Sequence, residues 1–238
     1  MIKVSHLYKA LNGQSILKDI NFEVKEGEIL AILGQSGAGK SVLLKHLIGL
    51  FSPDEGLIEI DSMDIAGFSE KDWLLLRKKM GYLFQDGALY DFMTIFENVA
   101  FPLKEHTQLN RQEIDEKVRS TLNLVGLDGV EEKYPSQLSG GMQKRAALAR
   151  AVILNSKILL CDEPTSGLDP VRSRDITDVI LSISRHFNAT TVITSHDMKN
   201  SFRIADQLII MRDGSLIAQG TREEIESTDN DFVKEFLN

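Results

Sequence analysis

The chain has 238 residues, 42% of them hydrophobic and 26% charged, which is ordinary for a soluble globular protein and leaves room for one large domain. Its net charge of -8, with no long block of Lys or Arg, argues against a nucleic-acid groove, because phosphate contacts need a local excess of positive charge. No apolar run approaches the ~20 residues of a membrane-spanning helix, the opening residues lack the apolar core of a signal peptide, and the single cysteine, Cys161, fits a reducing compartment.

The first part reads as strands: Ile2–Val4, the alternating Ile20, Phe22 and Val24, and the apolar run Ile29–Leu33, with turns at Asn12-Gly13 and Glu26-Gly27. Tyr8 falls in the first loop. After Leu33 comes Gly34-Gln35-Ser36-Gly37-Ala38-Gly39-Lys40-Ser41, followed by Val42 and a helical pattern of Leu43, Leu44, Leu47 and Ile48. Gly-x-x-x-x-Gly-Lys-Ser between a strand and a helix is the phosphate-binding loop. Glycines let the backbone curl so that successive N–H groups face phosphate oxygens, and the helix behind adds donors and its positive dipole end. Lys40 is expected to neutralise the β- and γ-phosphates, and Ser41 to place its hydroxyl on Mg²⁺.

Ser52–Gly56 reads as a turn, Leu57, Ile58 and Ile60 as a strand, and Ser69–Lys79 as a short helix. Met80–Phe84 is a strand ending at Gln85. The stretch from Asp86 to Thr107 is the least regular. Its aromatics, Tyr90, Phe92, Phe96 and Phe101, exceed what a local core needs, so it is either a buried lobe or a docking surface for an apolar partner helix. Asn110-Arg111-Gln112-Glu113 resembles a capping box ahead of Ile114, Val118 and Leu122. A second helix follows Leu138-Ser139-Gly140-Gly141-Met142, with Ala146, Ala149 and Ile153 on one side. Ile158–Cys161 is a buried-strand run that ends in Asp162-Glu163 and is stopped by Pro164. A helix over Pro170–Phe187 leads to a strand at Thr190–Thr194 and then to Ser195-His196-Asp197. Leu208–Met211 and Leu216–Ala218 are strands around the Arg212-Asp213-Gly214 turn, and Thr221 and Glu224 form a capping box for a short terminal helix. Such alternation predicts an α/β chain with a mostly parallel sheet and ligands at its strand ends. Residues 86–156 read mainly as helix and are placed as an inserted lobe in a core of about 1–85 and 157–238.

The acids after Cys161 suit the phosphate loop. Asp162 is placed to orient the Mg²⁺ shell, usually through water, and Glu163 to polarise a water for in-line attack on the γ-phosphate. Two adjacent carboxylates at a strand end repel each other unless a cation lies nearby, so a bound ion is the economical explanation.

Leu138-Ser139-Gly140-Gly141-Met142-Gln143 resembles the signature motif of ATP-binding-cassette ATPases, and the other motifs follow in the family's order from Tyr8 to His196. The resemblance covers essentially the whole chain. It implies a P-loop fold with a mostly parallel core sheet, an N-terminal antiparallel β subdomain and an inserted α-helical subdomain. It also implies a head-to-tail homodimer that sandwiches two ATP molecules with Mg²⁺. On that resemblance Tyr8 stacks on adenine, and Gly34 to Val42 hold the nucleotide. Ser139, Gly140 and Gly141 reach the γ-phosphate bound by the other subunit. Asp169 lines the dimer seam, His196 hydrogen-bonds the γ-phosphate, and Gln85 touches Mg²⁺ or the attacking water.

Phe84-Gln85-Asp86-Gly87-Ala88-Leu89-Tyr90-Asp91, with Asn98 to Leu103 and the Glu105-His106-Thr107 close, resembles the Mla/Mce-associated lipid-transport ATPases. This implies phospholipid trafficking in a diderm envelope, powered from the cytoplasmic face of the inner membrane. The implied partners are a permease docking near residues 86–107, and Mce-type lipid-binding and STAS-type accessory proteins. Asn98-Val99 and Phe101-Pro102-Leu103 also occur in amino-acid and lipoprotein-type transporters. Another small substrate, and a soluble iron–sulfur-assembly type of cassette protein, stay open as alternatives.

Overall fold

Alternating apolar residues in the N-terminal stretch build an antiparallel sheet. β1 (Ile2–Leu11) and β2 (Gln14–Val24) form a hairpin whose turn residues, Asn12 and Gly13, both have positive φ, as a tight two-residue turn requires. β3 (Ile29–Gly34) and α1 (Lys40–Leu47) follow, then β4 (Glu55–Ile60), which pairs with the free side of β1, and β5 (Met63–Asp64), giving the order β2-β1-β4-β5. α2 (Glu70–Arg77) leads onward to β6 (Met80–Leu83), α3 (Ile95–His106), α4 (Arg111–Leu124), α5 (Gly140–Val152), β7 (Ile158–Asp162) and α6 (Pro170–Phe187). The chain closes with β8 (Thr190–Ser195), α7 (Met198–Ile204), β9 (Gln207–Arg212), β10 (Ser215–Gly220), α8 (Arg222–Glu226) and α9 (Asp231–Leu237). The computed structural model describes residues 2–237 and divides into two compact units, Met1–Leu75 with Thr190–Asn238, and Leu76–Ala189. Residues 1 and 238, which the expected domain bounds include, lie outside the described residues.

In the first unit β3 is flanked by two parallel neighbours, β8 and β9, and β10 is antiparallel to β9. Every residue of β3 and of β8 is buried, as expected of parallel strands covered on both faces. The register sets Leu33 beside Ser195 and Gly34 beside Met211. The loop after β3 and His196 after β8 therefore leave the sheet at the same end, where open α/β sheets bind ligands. Ala31, Leu33, Leu208, Ile210, Ile225 and Val233 form a buried cluster that fixes α8 and α9 to these strands.

In the second unit β6 and β7 run parallel, with Tyr82 beside Leu160 and Leu83 beside Cys161. The helices α3, α4 and α5 account for most of residues 95–152. This is the predicted α/β architecture: an antiparallel N-terminal sheet, parallel core strands and inserted helices.

Local differences have plain causes. Residues 86–107 are less irregular than expected, because Ile95, Val99 and Leu103 recur every four residues on the buried face of α3 despite Pro102 inside it. Thr94 and Glu97 close a capping box at its start. Tyr8 lies on β1, opposite Glu55, rather than in a loop, since the strand continues to Leu11. α7 was not anticipated, and two short helices stand where one terminal helix was expected. The boxes at Asn110/Glu113 and Thr221/Glu224 form as read. Among the described residues no helix is long and apolar enough to cross a membrane.

Candidate nucleotide-binding site

The phosphate-loop sequence folds as a tight backbone curl because packing admits no side chain at its ends. A Cβ on Gly34 would stand 2.5 Å from the Met211 carbonyl oxygen. Gly39, the N-cap of α1, has φ 101, and a Cβ there would meet Leu17 Cδ2 at 2.9 Å. Between them Gln35, Ser36 and Gly37 are exposed. No side chain caps α1, and its first turn holds no acidic residue that would occupy the positive end of the helix. The Lys40 ammonium, only 6% exposed, donates to the carbonyls of Gly34 at 2.8 Å and Gln35 at 3.1 Å. His196 is exposed at the end of β8, steadied by Asp197 N–H donating to Ser195 Oγ at 2.9 Å and by Asp197 capping α7. This unit thus brings Gly34–Val42 and His196 to one sheet end, and carries Tyr8 on its antiparallel sheet.

In the second unit the β6/β7 register delivers Gln85 and the Asp162-Glu163 pair at the same strand end. Both carboxylates are buried, Asp162 at 6% and Glu163 at 8% exposure. Glu163 has φ 46, a left-handed conformation that costs a non-glycine residue about 1 kcal/mol and turns its side chain off the strand line. Tyr82 Oη donates to Asp162 Oδ2 at 3.3 Å. The Cys161 thiol is pushed well above its usual range by burial and by the neighbouring Asp162 charge, so it stays a protonated apolar filler.

Gln85 donates from Nε2 to Ser166 Oγ at 3.3 Å, and its carbonyl accepts from the Lys144 ammonium on α5. Burial lowers the Lys144 pKa, opposed by the charges of Asp86 and Glu163. Ser139 caps α5 by accepting from Met142 N–H at 3.4 Å, with Gly140 and Gly141 in the first turn. Cβ atoms on these two glycines would stand 3.6 Å from Leu168 and 3.7 Å from Arg172, so the signature stretch lies against the start of α6. Asp169 caps that helix, accepting from Val171 N–H at 3.1 Å and Arg172 N–H at 3.0 Å. These bonds, the Arg172 N–H first, hold its carboxyl below the usual range. Tyr82 and Lys144 were missed by sequence reasoning. A lysine within the buried Gly141–Leu148 stripe of α5 was a visible signal; the contact of Tyr82 depends on strand register, which no motif encodes.

The residues suit a magnesium nucleotide. Each unit by itself carries part of the needed chemistry: in the first, the glycine curl presents backbone rather than side chains and Ser41 adds a hydroxyl; in the second, the Asp162 carboxylate is a hard oxygen donor of the kind Mg²⁺ combines with phosphate and water.

The aromatic segment is tightly held. Asn98 is fully buried; its Oδ1 accepts from Tyr90 N–H at 2.8 Å, and its Nδ2 donates to the carbonyls of Tyr90, Met93 and Thr94 at 3.0–3.2 Å. Arg150 on α5 donates to the carbonyls of Gly87 at 2.8 Å and Ala88 at 2.7 Å, and lies over the Tyr90 ring. Tyr82, Phe84, Tyr90, Phe101, His106 and Arg150 line a cleft of about 430 Å³, and Phe92 nearby is 75% exposed.

The family profile described as ABC transporter matches residues 17–166. Over 237 residues the chain is 43% identical to the probable ribonucleotide transport ATP-binding protein mkl of Mycobacterium leprae, covering all of this chain and 68% of that protein. It spans about two thirds of the length of these mycobacterial relatives. It is 40% identical to the intermembrane phospholipid transport system ATP-binding protein MlaF of Haemophilus influenzae, covering all of this chain and 90% of that one. It is also 40% identical to the methionine import ATP-binding protein MetN of Campylobacter jejuni, with 100% and 75% covered. Among solved structures, the dimeric MJ0796 ABC transporter cassette superposes with a TM-score of 0.85 at 30% identity, over 93% of this chain and 98% of that one. CbiO1 from Clostridium perfringens gives 0.88 at 31%, over 100% and 94%.

Proposed function

Because the chain belongs to the ABC transporter family and is an ATP-binding, ATP-hydrolysing motor subunit, we propose that its cycle drives phospholipid movement between the membranes of a diderm bacterial envelope. The observation that carries this reading is the full-length likeness to the phospholipid-transport ATPase of Haemophilus influenzae, which covers 90% of that protein. The Gly87–Tyr90 and Glu105–Thr107 wording points the same way. The 43% identity to the mycobacterial proteins supports a second reading, transport of a nucleotide-like solute.

The roles follow from the chemistry of each group. Bound Mg²⁺ would neutralise charge on the β- and γ-phosphates, held by Ser41, Asp162 and Gln85. Gly34 to Val42 bind the triphosphate through backbone N–H groups, and Lys40 adds a fixed positive charge. Glu163 accepts the proton of the attacking water, while His196 donates a hydrogen bond to the γ-phosphate. Tyr8 stacks on the adenine. Ser139, Gly140 and Gly141 serve the nucleotide bound by a second copy of the chain, and Asp169 lines the seam between copies. The insert of about 86–156 is the moving lobe, and the aromatic stretch near 86–107 receives a permease. Mce-type and STAS-type proteins complete the assembly, with this subunit on the cytoplasmic face of the inner membrane.

Glu163→Gln tests the reading. It should keep ATP binding, lower hydrolysis by at least about a hundredfold, accumulate an ATP-bound dimer and stop lipid transfer between membranes reconstituted with the permease complex. Near-normal turnover would remove Glu163 as the base. ATP-dependent uptake of ribonucleotide, with no lipid transfer, would establish the second reading instead.

A further inference from the structure

We propose that Tyr82 is a positioning residue for the Asp162 carboxylate, a role that rests on the reading of Asp162 as the magnesium-side acid. The register makes the contact. Tyr82 stands beside Leu160 on the parallel neighbour β7, and side chains two apart on a strand share a face, so Asp162 projects on the same side as the phenol. The hydroxyl lies 3.3 Å from Oδ2 with both groups buried. That is long for an O–H···O bond, so the contact in this structure is a weak one.

Packing alone does not call for the hydroxyl. The ring is held by Phe84, at 4.4 Å between centroids and 43° between planes, and borders the aromatic cleft. Phenylalanine or methionine would fill this space without bringing a polar group into the interior, where a hydroxyl is costly unless bonded. The bland alternative is a core tyrosine that satisfies its hydroxyl on the nearest oxygen. The two differ in whether Asp162 depends on the bond. Burial and the Asp162 charge also push the phenol well above its usual range, which keeps it a donor.

The test measures binding of a fluorescent ATP analogue to the full chain in Mg²⁺ and in EDTA, and takes the ratio of the two affinities. Partners that orient a metal-side ligand typically change metal affinity by about tenfold or more. Tyr82→Phe should therefore shrink the Mg²⁺/EDTA ratio by about tenfold and leave binding in EDTA unchanged. Asp162→Asn should shrink it at least as far, and adding Tyr82→Phe to that variant should change nothing more. Tyr82→Met, which keeps apolar volume, should repeat the Tyr82→Phe result and serves if the latter folds poorly. An unchanged ratio in Tyr82→Phe beside a collapsed one in Asp162→Asn overturns the role of Tyr82 alone. An unchanged ratio in Asp162→Asn removes the reading of Asp162 and the proposal with it. Equal losses in Mg²⁺ and EDTA mark a packing defect and also overturn it.

Discussion

His46 is a histidine folded into the interior of the phosphate-loop helix. It is fully buried; Nδ1 pairs with the Val42 carbonyl oxygen at 2.8 Å, the ring lies 5.7 Å from Phe51, and among the described residues Nε2 meets no partner within hydrogen-bonding geometry. Burial, reinforced by the Lys9 charge, holds its pKa below the ordinary 6.5, against the opposing pull of the Val42 and Ser52 backbone and of Asp54. The unfolded chain therefore takes up a proton that the folded chain refuses as pH falls through 6.5. Its contribution to stability is fully present above that value and declines below it. The thermal midpoint should fall between about pH 6.5 and 5, and His46→Leu should flatten that part of the curve. Parallel curves for the two proteins would place the acid sensitivity elsewhere.

At the scale of elements, Asn98 decides whether residues 90–94 hold their shape. Replacing it with alanine leaves the Tyr90 N–H and the carbonyls of Tyr90, Met93 and Thr94 without that side chain. The expected cost is about 3 kcal/mol in urea unfolding, with faster amide exchange over residues 90–94 while α5 stays protected. Unchanged exchange there would mean the turn is held by other contacts. The same stretch marks the limit of legibility in the sequence. α6 could be read to its ends because Asp169-Pro170 is a local start signal. α3 was obscured by Pro102 and by aromatics off its buried stripe, although Thr94 and Glu97 announced its start. α7, seven residues long, carries too few buried positions to register as a period. The binding stretches were legible because phosphate recognition by backbone needs glycines in fixed order. Contacts made through register, such as Tyr82 with Asp162 or Lys144 with the Gln85 carbonyl, exist only once the strands and α5 have packed.

For the whole molecule, the proposal of composite sites has a sharp consequence. A Lys40→Ala chain and a Ser139→Ala chain should each be nearly inactive, yet a mixture should form heterodimers with one intact site and one doubly defective site. Random pairing with independent sites predicts about a quarter of native turnover. If mixing returns nothing, binding and signature elements act within one chain. Such sharing needs a linkage from partner to site, and α5 has the build of one. Ser139 caps its first turn, while Lys144 and Arg150 along its flank hold the carbonyls of Gln85, Gly87 and Ala88. Ser139 and Arg150 are roughly 16 Å apart along a helix that does not shorten. Under that proposal, α5 would tie the 85–88 backbone to the Ser139 end through one continuous helix, with no intervening loop between them.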